Sequence, residues 1–107
     1  MMRVAQVIRL DPESIEEYEQ LHTAVWPGVL TRIAASGIRN YTIYRYETLL
    51  IATFDYVGND FDADMAAMAA DVTTQRWWAV CGPMQRPVAE RTEGEWWHTI
   101  PEVFHVD

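Results

Sequence analysis

Lysine is absent from this chain of 107 residues, so eight arginines supply all of its side-chain positive charge. Asp and Glu together number 16, which gives a formal net charge of −8 at pH 7. Surfaces that bind nucleic acid or anionic lipid are built from basic patches. The charge balance therefore predicts that the protein has neither a nucleic-acid nor a membrane partner.

Cysteine and histidine are also scarce. Cys81 is the single cysteine, which excludes an internal disulfide and a four-cysteine zinc site. No two of the histidines, His22, His98 and His105, have the i, i+3 or i+4 spacing of metal ligands on one helix. We therefore expect no metal site and no cofactor, and we expect Cys81 to be a buried, unreactive thiol.

The first ten residues lack the continuous apolar run of a signal peptide or a membrane span. Arg3, Gln6 and Arg9 interrupt them. Half of all residues are hydrophobic, which predicts a folded chain, and the length fits one domain over residues 1–107. The expected location is the cytoplasm.

Aromatic side chains, in contrast, are abundant. Five tryptophans and five tyrosines make up ten of the thirteen aromatic rings, and each of these ten carries a polar N–H or O–H group. An indole offers a flat apolar face and one donor, which suits a sugar ring with its C–H face and hydroxyl edge. This aromatic excess is the compositional feature that most needs a function.

Apolar periodicity and turn residues predict the element order βαββαβ. The first helix begins after Asp11 and carries Ile15, Tyr18, His22 and Val25 on one face, at spacings of 3, 4 and 3. The other predicted helices cover residues 28–36, 61–70 and 73–81, the predicted strands cover 4–10, 38–46, 49–57 and 102–106, and a loop covers 85–95. This order is typical of an α+β fold, the ferredoxin-like βαββαβ sandwich.

The two central strands form a predicted hairpin that is apolar or aromatic on both faces. Tyr41 and Ile43 face one way, and Tyr44 and Tyr46 face the other. Helices on one face of the sheet leave the other face open, and an exposed apolar face marks an interface. We therefore expect a homodimer packed through the sheet face, which closes a dimeric α+β barrel. A pocket between sheet and helices would be lined by the first helix, the hairpin and the last helix.

Tyr18 and His22 are the first candidates for chemistry, because residues four apart are neighbours on a helix. A histidine transfers protons readily near neutral pH, and a tyrosine hydroxyl can orient it or bind substrate. Both residues share a stripe with apolar side chains, so a satisfied core pair is the alternative reading.

Two pairs of adjacent tryptophans are the second candidates. Trp77 and Trp78 point about 100° apart on the last predicted helix, so at most one indole faces the core. The other indole would bind a sugar ring or pack in a dimer interface. For Trp96 and Trp97, which follow a polar loop, we expect core or interface packing.

Five short segments, taken in order, resemble the L-rhamnose mutarotase family over nearly the whole chain. They are Glu17-Tyr18 with His22, Trp26-Pro27, Asn40-Tyr41-Thr42-Ile43-Tyr44, Gln75-Arg76-Trp77-Trp78 and Glu102-Val103-Phe104. The resemblance implies a dimeric α+β barrel that interconverts the α and β anomers of L-rhamnose without a cofactor.

The same resemblance implies site residues. His22 would be the proton donor, and Tyr18, Tyr41, Trp77 and Trp78 would line the sugar site. Where well-known members read His-Asn-Pro, this chain reads His22-Thr23-Ala24, so a related 6-deoxy sugar such as L-fucose is an alternative substrate.

Anomer interconversion needs only proton transfers to and from oxygen, so general acid–base groups suffice for it. The alternative enzyme is a cofactor-independent monooxygenase, which would need a wholly apolar cavity for a flat substrate. The alternative without catalysis is a sugar-binding module in which the aromatic residues only bind.

Overall fold

A single antiparallel sheet, with helices on one face, organises the computed structural model, which describes all residues 1–107. Its strands are β1 (Met2–Leu10), β2 (Ile38–Tyr46), β3 (Leu49–Tyr56), β4 (Gln85–Arg86) and β5 (His98–Ile100). Its helices are α1 (Ile15–Leu21), α2 (Pro27–Ala35), α3 (Phe61–Ala70) and α4 (Val72–Cys81), and short 3-10 turns cover Pro12–Ser14 and Gly82–Met84.

The strand order confirms the predicted ferredoxin-like α+β fold. β2 pairs with β3, β3 pairs with β1, and both β4 and β5 pair with the far edge of β1. β4 lies opposite Arg9 and Leu10, while β5 lies opposite residues 5–7. Each crossover consists of two helices, so the order remains βαββαβ at the level of layers.

Three sequence predictions about elements were wrong. The predicted loop over residues 85–95 begins with a strand, β4, at Gln85–Arg86. The first helix ends at Leu21 with His22 as its C-cap, so Val25 lies in the turn before Pro27 and outside the helical stripe. Pro27 disfavours helical geometry at Trp26, which is extended with a φ of −59° and a ψ of 135°, so the helix could not have continued through the turn into α2.

The closing strand is His98–Ile100, and residues 102–106 form no strand. Pro101 follows this strand and has no N–H with which to continue the ladder. Beyond it, Val103 and Phe104 are 92% and 80% exposed, although the predicted strand would have buried part of them.

A β-bulge interrupts the pairing of β2 with β3. Arg39 pairs with Asp55 and Thr42 pairs with Thr53, so Asn40 and Tyr41 together lie opposite the one residue Phe54. Asn40 has a φ of 53° and donates from its side chain to Asp55 at 2.9 Å. The extra residue shifts the alternation by one, so Ile38 before the bulge and Ile43 after it both lie opposite helix-facing residues of β3.

Alternation along β3 sorts side chains between the two faces of the sheet. Its even-numbered residues are buried under the helices and its odd-numbered residues are half-buried on the open face. Tyr44 and Tyr46 of β2 lie on that open face, where they are 60% and 70% exposed. The predicted two-faced hairpin is therefore present. No helix combines the length and the apolarity that a bilayer crossing requires.

The main core fills the space between the sheet and helices α1, α2 and α4. Its buried members are Ile8, Leu10, Tyr18, Val29, Leu50, Trp77, Cys81 and Met84. A second cluster of Ile38, Phe54 and Tyr56 lies under α3. Two of the candidate site residues, Tyr18 and Trp77, are thus part of the main core, where close packing restricts their side chains.

Candidate functional site

Tyr18 is held in the core by helix α1, where it is 3% exposed. Asp11 caps the preceding 3-10 turn by accepting from the N–H of Glu13 at 3.1 Å, which fixes where the helix begins. The hydroxyl of Tyr18 accepts a hydrogen bond from Nε2 of Gln85 at 3.1 Å. Burial raises the pKa of Tyr18 far above its usual value, although the bond from Gln85 lowers it in part. The side chain is therefore a neutral phenol at physiological pH.

His22 lies at the end of the same helix, and its ring is half-buried. Its Nδ1 lies 2.7 Å from the backbone carbonyl oxygen of Tyr18. A carbonyl can only accept, so Nδ1 carries a proton and donates it there. No protein atom pairs with Nε2, and no buried side-chain nitrogen or oxygen lacks a partner, so Nε2 reaches accessible space. This nitrogen is therefore the one that can meet a ligand.

Trp77 forms the wall behind His22. The carboxylate of Asp71 caps helix α4 and accepts from the N–H and the hydroxyl of Thr74, at 3.0 and 2.8 Å. The Trp77 ring meets the rings of His22 and Trp26 edge to face, with centroids 5.3 and 5.1 Å apart. Its indole N–H has no protein partner and yet is not an unsatisfied buried atom, so it also reaches accessible space.

Tyr41 approaches this cluster from the sheet. It lies on the helix-covered face with Ile43, as alternation predicts, and its ring contacts Phe54 at a centroid distance of 5.6 Å. The side chain is 40% exposed, but burial of its hydroxyl end raises the pKa of Tyr41 to about 12. The proximity of Tyr41 also contributes to the raised pKa of Tyr18. Both hydroxyls thus carry their protons.

Trp78 is not part of the packed cluster. It is 46% exposed on the next face of α4, and its ring stacks on no other aromatic ring. The prediction that only one of the two adjacent indoles faces the core is therefore confirmed. The structure brings Tyr18, His22 and Trp77 into contact and places Tyr41 on the same helix-covered side of the sheet, while Trp78 is half-exposed on α4.

Three contacts of the site were not found by sequence reasoning. Trp26 packs on Trp77, Gln85 bonds to Tyr18, and Trp96 donates to Oε1 of Gln85 at 2.7 Å. The sequence analysis named Trp26 only within the Trp26-Pro27 segment of the family resemblance, and no periodicity connects Gln85 with a residue 67 positions earlier. The pair Trp96-Trp97 did give a signal. Trp97 packs on the main core as expected.

Other possible binding features lie away from this cluster. No three His, Cys, Asp or Glu side chains are grouped as metal ligands. A cavity of about 390 Å³ opens on the uncovered face of the sheet, between the ion pair of Arg3 with Glu102 and the pair of Asn40 with Asp55. The chemistry of a half-buried imidazole among aromatic rings is thus confined to the helix-covered side.

Known proteins are similar to this chain in sequence and in fold. The family model for L-rhamnose mutarotase matches residues 3–106. L-rhamnose mutarotase of Klebsiella pneumoniae is 34% identical over 80 residues, which cover 73% of this chain and 74% of that protein. L-rhamnose mutarotase of Oceanobacillus iheyensis is 24% identical over 107 residues and the full length of both chains.

A solved structure agrees with these relatives. The crystal structure of an L-rhamnose mutarotase from Formosa agariphila superposes with a TM-score of 0.78 over 100% of both chains, at 18% sequence identity. At that identity the likeness shows the fold, while the family model and the Klebsiella pneumoniae relative identify the family. The chain belongs to the L-rhamnose mutarotase family.

Proposed function

We propose that this chain, as one mutarotase-like domain over residues 1–107, is an isomerase that interconverts the α and β anomers of L-rhamnopyranose without a cofactor. The observation that carries the proposal is the state of His22. One ring nitrogen is fixed by a carbonyl at 2.7 Å, and the other is open to a ligand beside two aromatic rings. A group so placed can give a proton to a sugar oxygen and take it back.

The reaction divides into opening and closing of the sugar ring. In opening, Nε2–H of protonated His22 gives its proton to the ring oxygen, the bond from that oxygen to C1 breaks, and the anomeric hydroxyl loses its proton. The product is the open-chain aldehyde. After rotation about the C1–C2 bond, the new hydroxyl attacks the other face of the carbonyl. His22 then recovers its proton, and the carbonyl oxygen gains one.

The base that receives the proton of the anomeric hydroxyl is a water molecule in this proposal. Tyr18 is unsuited to the task, because burial raises its pKa far above neutrality and keeps it protonated. No carboxylate bonds to Tyr18, His22 or Trp77. Tyr18 instead serves as a hydrogen-bond donor to the sugar, and so does Tyr41, whose pKa is also raised by burial.

The sugar site combines polar donors with aromatic faces. Tyr18 and Tyr41 offer hydroxyls, Trp77 offers a free indole N–H, and the exposed ring of Trp78 offers a face for the sugar's C–H groups. These polar atoms favour a polyol over the flat apolar substrate of a cofactor-independent monooxygenase. A 6-deoxy sugar with the same ring, such as L-fucose, is the closest alternative substrate, and a non-catalytic sugar-binding module is the alternative without chemistry.

Exchange NMR on L-rhamnose tests the function directly. The protein should increase the rate of exchange between the two anomeric proton signals above the buffer rate, and L-fucose under the same conditions measures specificity. If the protein binds L-rhamnose but the anomers exchange only at the buffer rate, the protein is a non-catalytic sugar-binding module. Oxygen uptake with a quinol substrate would support the monooxygenase.

We also propose a homodimer formed through the open face of the sheet, in the cytoplasm. Tyr44 and Tyr46 expose 60% and 70% of their surface there, beside a half-buried row from β3, and such an apolar face is typical of an interface. Sedimentation should find dimers for the parent chain and monomers for Tyr44→Arg. Leu30→Arg adds the same charge at an exposed position of α2 and should leave the dimer intact.

The proposed location in the cytoplasm is supported by the single cysteine, which is free, because thiols stay reduced in that compartment.

A further inference from the structure

Gln85 connects the candidate site to the loop that follows it. Its side chain is buried, with 8% of the residue exposed, and it bonds on both sides. Nε2 lies 3.1 Å from the hydroxyl of Tyr18, and Oε1 lies 2.7 Å from the indole Nε1 of Trp96. Trp96 belongs to the segment between β4 and β5, so one amide joins this segment to the core tyrosine.

The chemistry of the indole fixes the direction of both hydrogen bonds. An indole N–H can only donate, so the Gln85 atom that faces it must be the carbonyl oxygen. The other end of the amide is then the NH₂ group, which can only donate, and the hydroxyl of Tyr18 must accept. The orientation of the amide thus follows from Trp96.

This direction determines what Tyr18 can do. A phenol has one proton to donate, and the hydrogen bond from Gln85 does not use it. The hydroxyl of Tyr18 makes no other hydrogen bond to the protein. Its proton is therefore available to an oxygen of a ligand, and this availability depends on a residue outside the helix that carries Tyr18.

Trp96 is itself held in place by its own segment. The carboxylate of Glu95 accepts from the N–H groups of Thr92 and Thr99, at 2.7 and 3.3 Å, and from Nδ1 of His98 at 3.0 Å. The guanidinium of Arg91 lies 6.0 Å from the centre of the Trp96 ring, within the range of a cation–π contact. The indole donor is thus presented by an ordered turn.

We propose that Gln85 is a positioning residue that, oriented by Trp96, keeps the hydroxyl of Tyr18 as a donor to a sugar oxygen. The inference rests on the proposed function for its ligand, a neutral monosaccharide. It adds to that function a hydrogen-bond relay that runs from Trp96 through Gln85 and Tyr18 to the sugar. Neither Trp96 nor Tyr18 forms this relay without Gln85. If the relay operates, sugar binding depends on which atoms of residue 85 donate and which accept hydrogen bonds. If Gln85 only fills space, sugar binding does not depend on this direction.

The variant Gln85→Glu tests the polarity. A carboxylate of nearly the same shape still accepts from Trp96, but it also accepts from Tyr18 and so withdraws the proton from the sugar. We expect about threefold to tenfold weaker L-rhamnose binding and a lower exchange rate, the usual range for one lost hydrogen bond. Gln20→Glu adds the same charge at an exposed position of α1 and should behave as the parent chain.

Two readouts separate the relay from a structural defect. Lowering the pH protonates the introduced carboxyl, which can then donate to Tyr18, so the defect relative to the parent chain should shrink on acidification. In a Tyr18→Phe background, Gln85→Glu should cause no further loss. A defect that persists at low pH, or losses that add in the double variant, would overturn the proposal.

A third readout needs no sugar and so distinguishes failure of this inference from failure of the proposed function. The Trp96 indole N–H signal should shift and exchange faster with solvent in Gln85→Leu, and it should stay protected in Gln85→Glu. An indole signal that is unchanged in Gln85→Leu refutes the relay even if the parent chain is an active mutarotase. A parent chain that neither binds nor exchanges L-rhamnose refutes the proposed function, and with it the inference's ligand.

Discussion

The imidazole of His22 stacks on the phenol ring of Tyr18, with ring centroids 4.3 Å apart and an angle of 26° between the planes. The same two residues are joined a second time, through the bond from the imidazole to the tyrosine's backbone carbonyl. That carbonyl also accepts the backbone N–H of His22 at 3.2 Å, so the bond from the imidazole is its second. The carbonyl therefore fixes the ring orientation of the residue that caps the helix, and the imidazole and the phenol are held as one unit.

Replacing His22 tests this unit. His22→Gln keeps a donor near the position of Nε2 but cannot take up or release a proton. We expect anomer exchange to fall by about 10²- to 10⁴-fold, the usual contribution of a general acid. Sugar binding, followed by tryptophan fluorescence, should remain. A variant that keeps the parent exchange rate would assign the acid to another group.

Trp77 and Trp78 should contribute differently to the free energy of unfolding. Trp77 is 6% exposed and touches two other rings, so Trp77→Ala should cost about 3–5 kcal/mol of unfolding free energy. Trp78→Ala, at a half-exposed position, should change it by no more than about 0.5 kcal/mol. Urea unfolding measures both. Equal costs would contradict the different placement of the two indoles, and weaker sugar binding by stable Trp78→Ala would support its proposed role.

Cys81 should resist alkylation in the folded protein. It is 3% exposed, and burial raises the pKa of its thiol to about 11, so little reactive thiolate exists at pH 8. Mass spectrometry after iodoacetamide treatment should find no adduct in native protein and one adduct in urea. Rapid modification of native protein would show that the thiol is accessible.

The turn that presents Trp96 should loosen in acid. Hydrogen bonds from His98, and then from Thr92 and Thr99, lower the pKa of Glu95 to about 2. An unfolded glutamate titrates near 4.5, so the stabilisation is fully present above that pH and is lost as pH falls towards 2.

Comparison of the parent chain with Glu95→Gln measures this effect. The parent chain should be the more stable of the two at neutral pH, and the difference should narrow between about pH 4.5 and pH 2. Tryptophan emission and urea unfolding at each pH supply the data. A difference that does not depend on pH in this range would show that the carboxylate charge makes no contribution.

The bulge residue Asn40 should accept glycine more readily than a branched side chain. Its φ of 53° lies in the left-handed region, which asparagine and glycine tolerate and valine does not. Asn40→Val should therefore lower the unfolding free energy by more than Asn40→Gly, and about 1–2 kcal/mol of strain is the expected scale. Thermal unfolding of both variants, with both lacking the bond to Asp55, isolates the backbone effect.

The fold was predictable because its signals are local. Alternating β-branched residues marked the hairpin, and proline and glycine marked most element ends to within one or two residues. The last strand was placed four residues too late, because the segment 102–106 has β-forming residues that nothing in this chain covers. The last strand forms where the folded chain can pair with β1, and the sequence pattern alone does not show which segment reaches that edge.

The candidate site was predictable only in part, for a similar reason. Tyr18 and His22 are four apart on or at the end of one helix, so their contact follows from helix geometry. The contact of Tyr18 with Gln85 joins residues 67 apart, and only the folded chain brings them together. The roles of Tyr18, His22, Tyr41, Trp77 and Trp78 toward a sugar stay predictions, which the exchange and binding experiments address.

The bulge in β2 is a position at which the strand can lose one residue without a change in the facing of the residues that follow. Because Asn40 is the extra residue, removing it would leave Tyr41 opposite Phe54 in a regular ladder, with its side chain still directed under the helices. Deletion elsewhere in the strand would turn every later side chain to the wrong face. A one-residue deletion can therefore be accommodated at the bulge without loss of the inward-facing tyrosine.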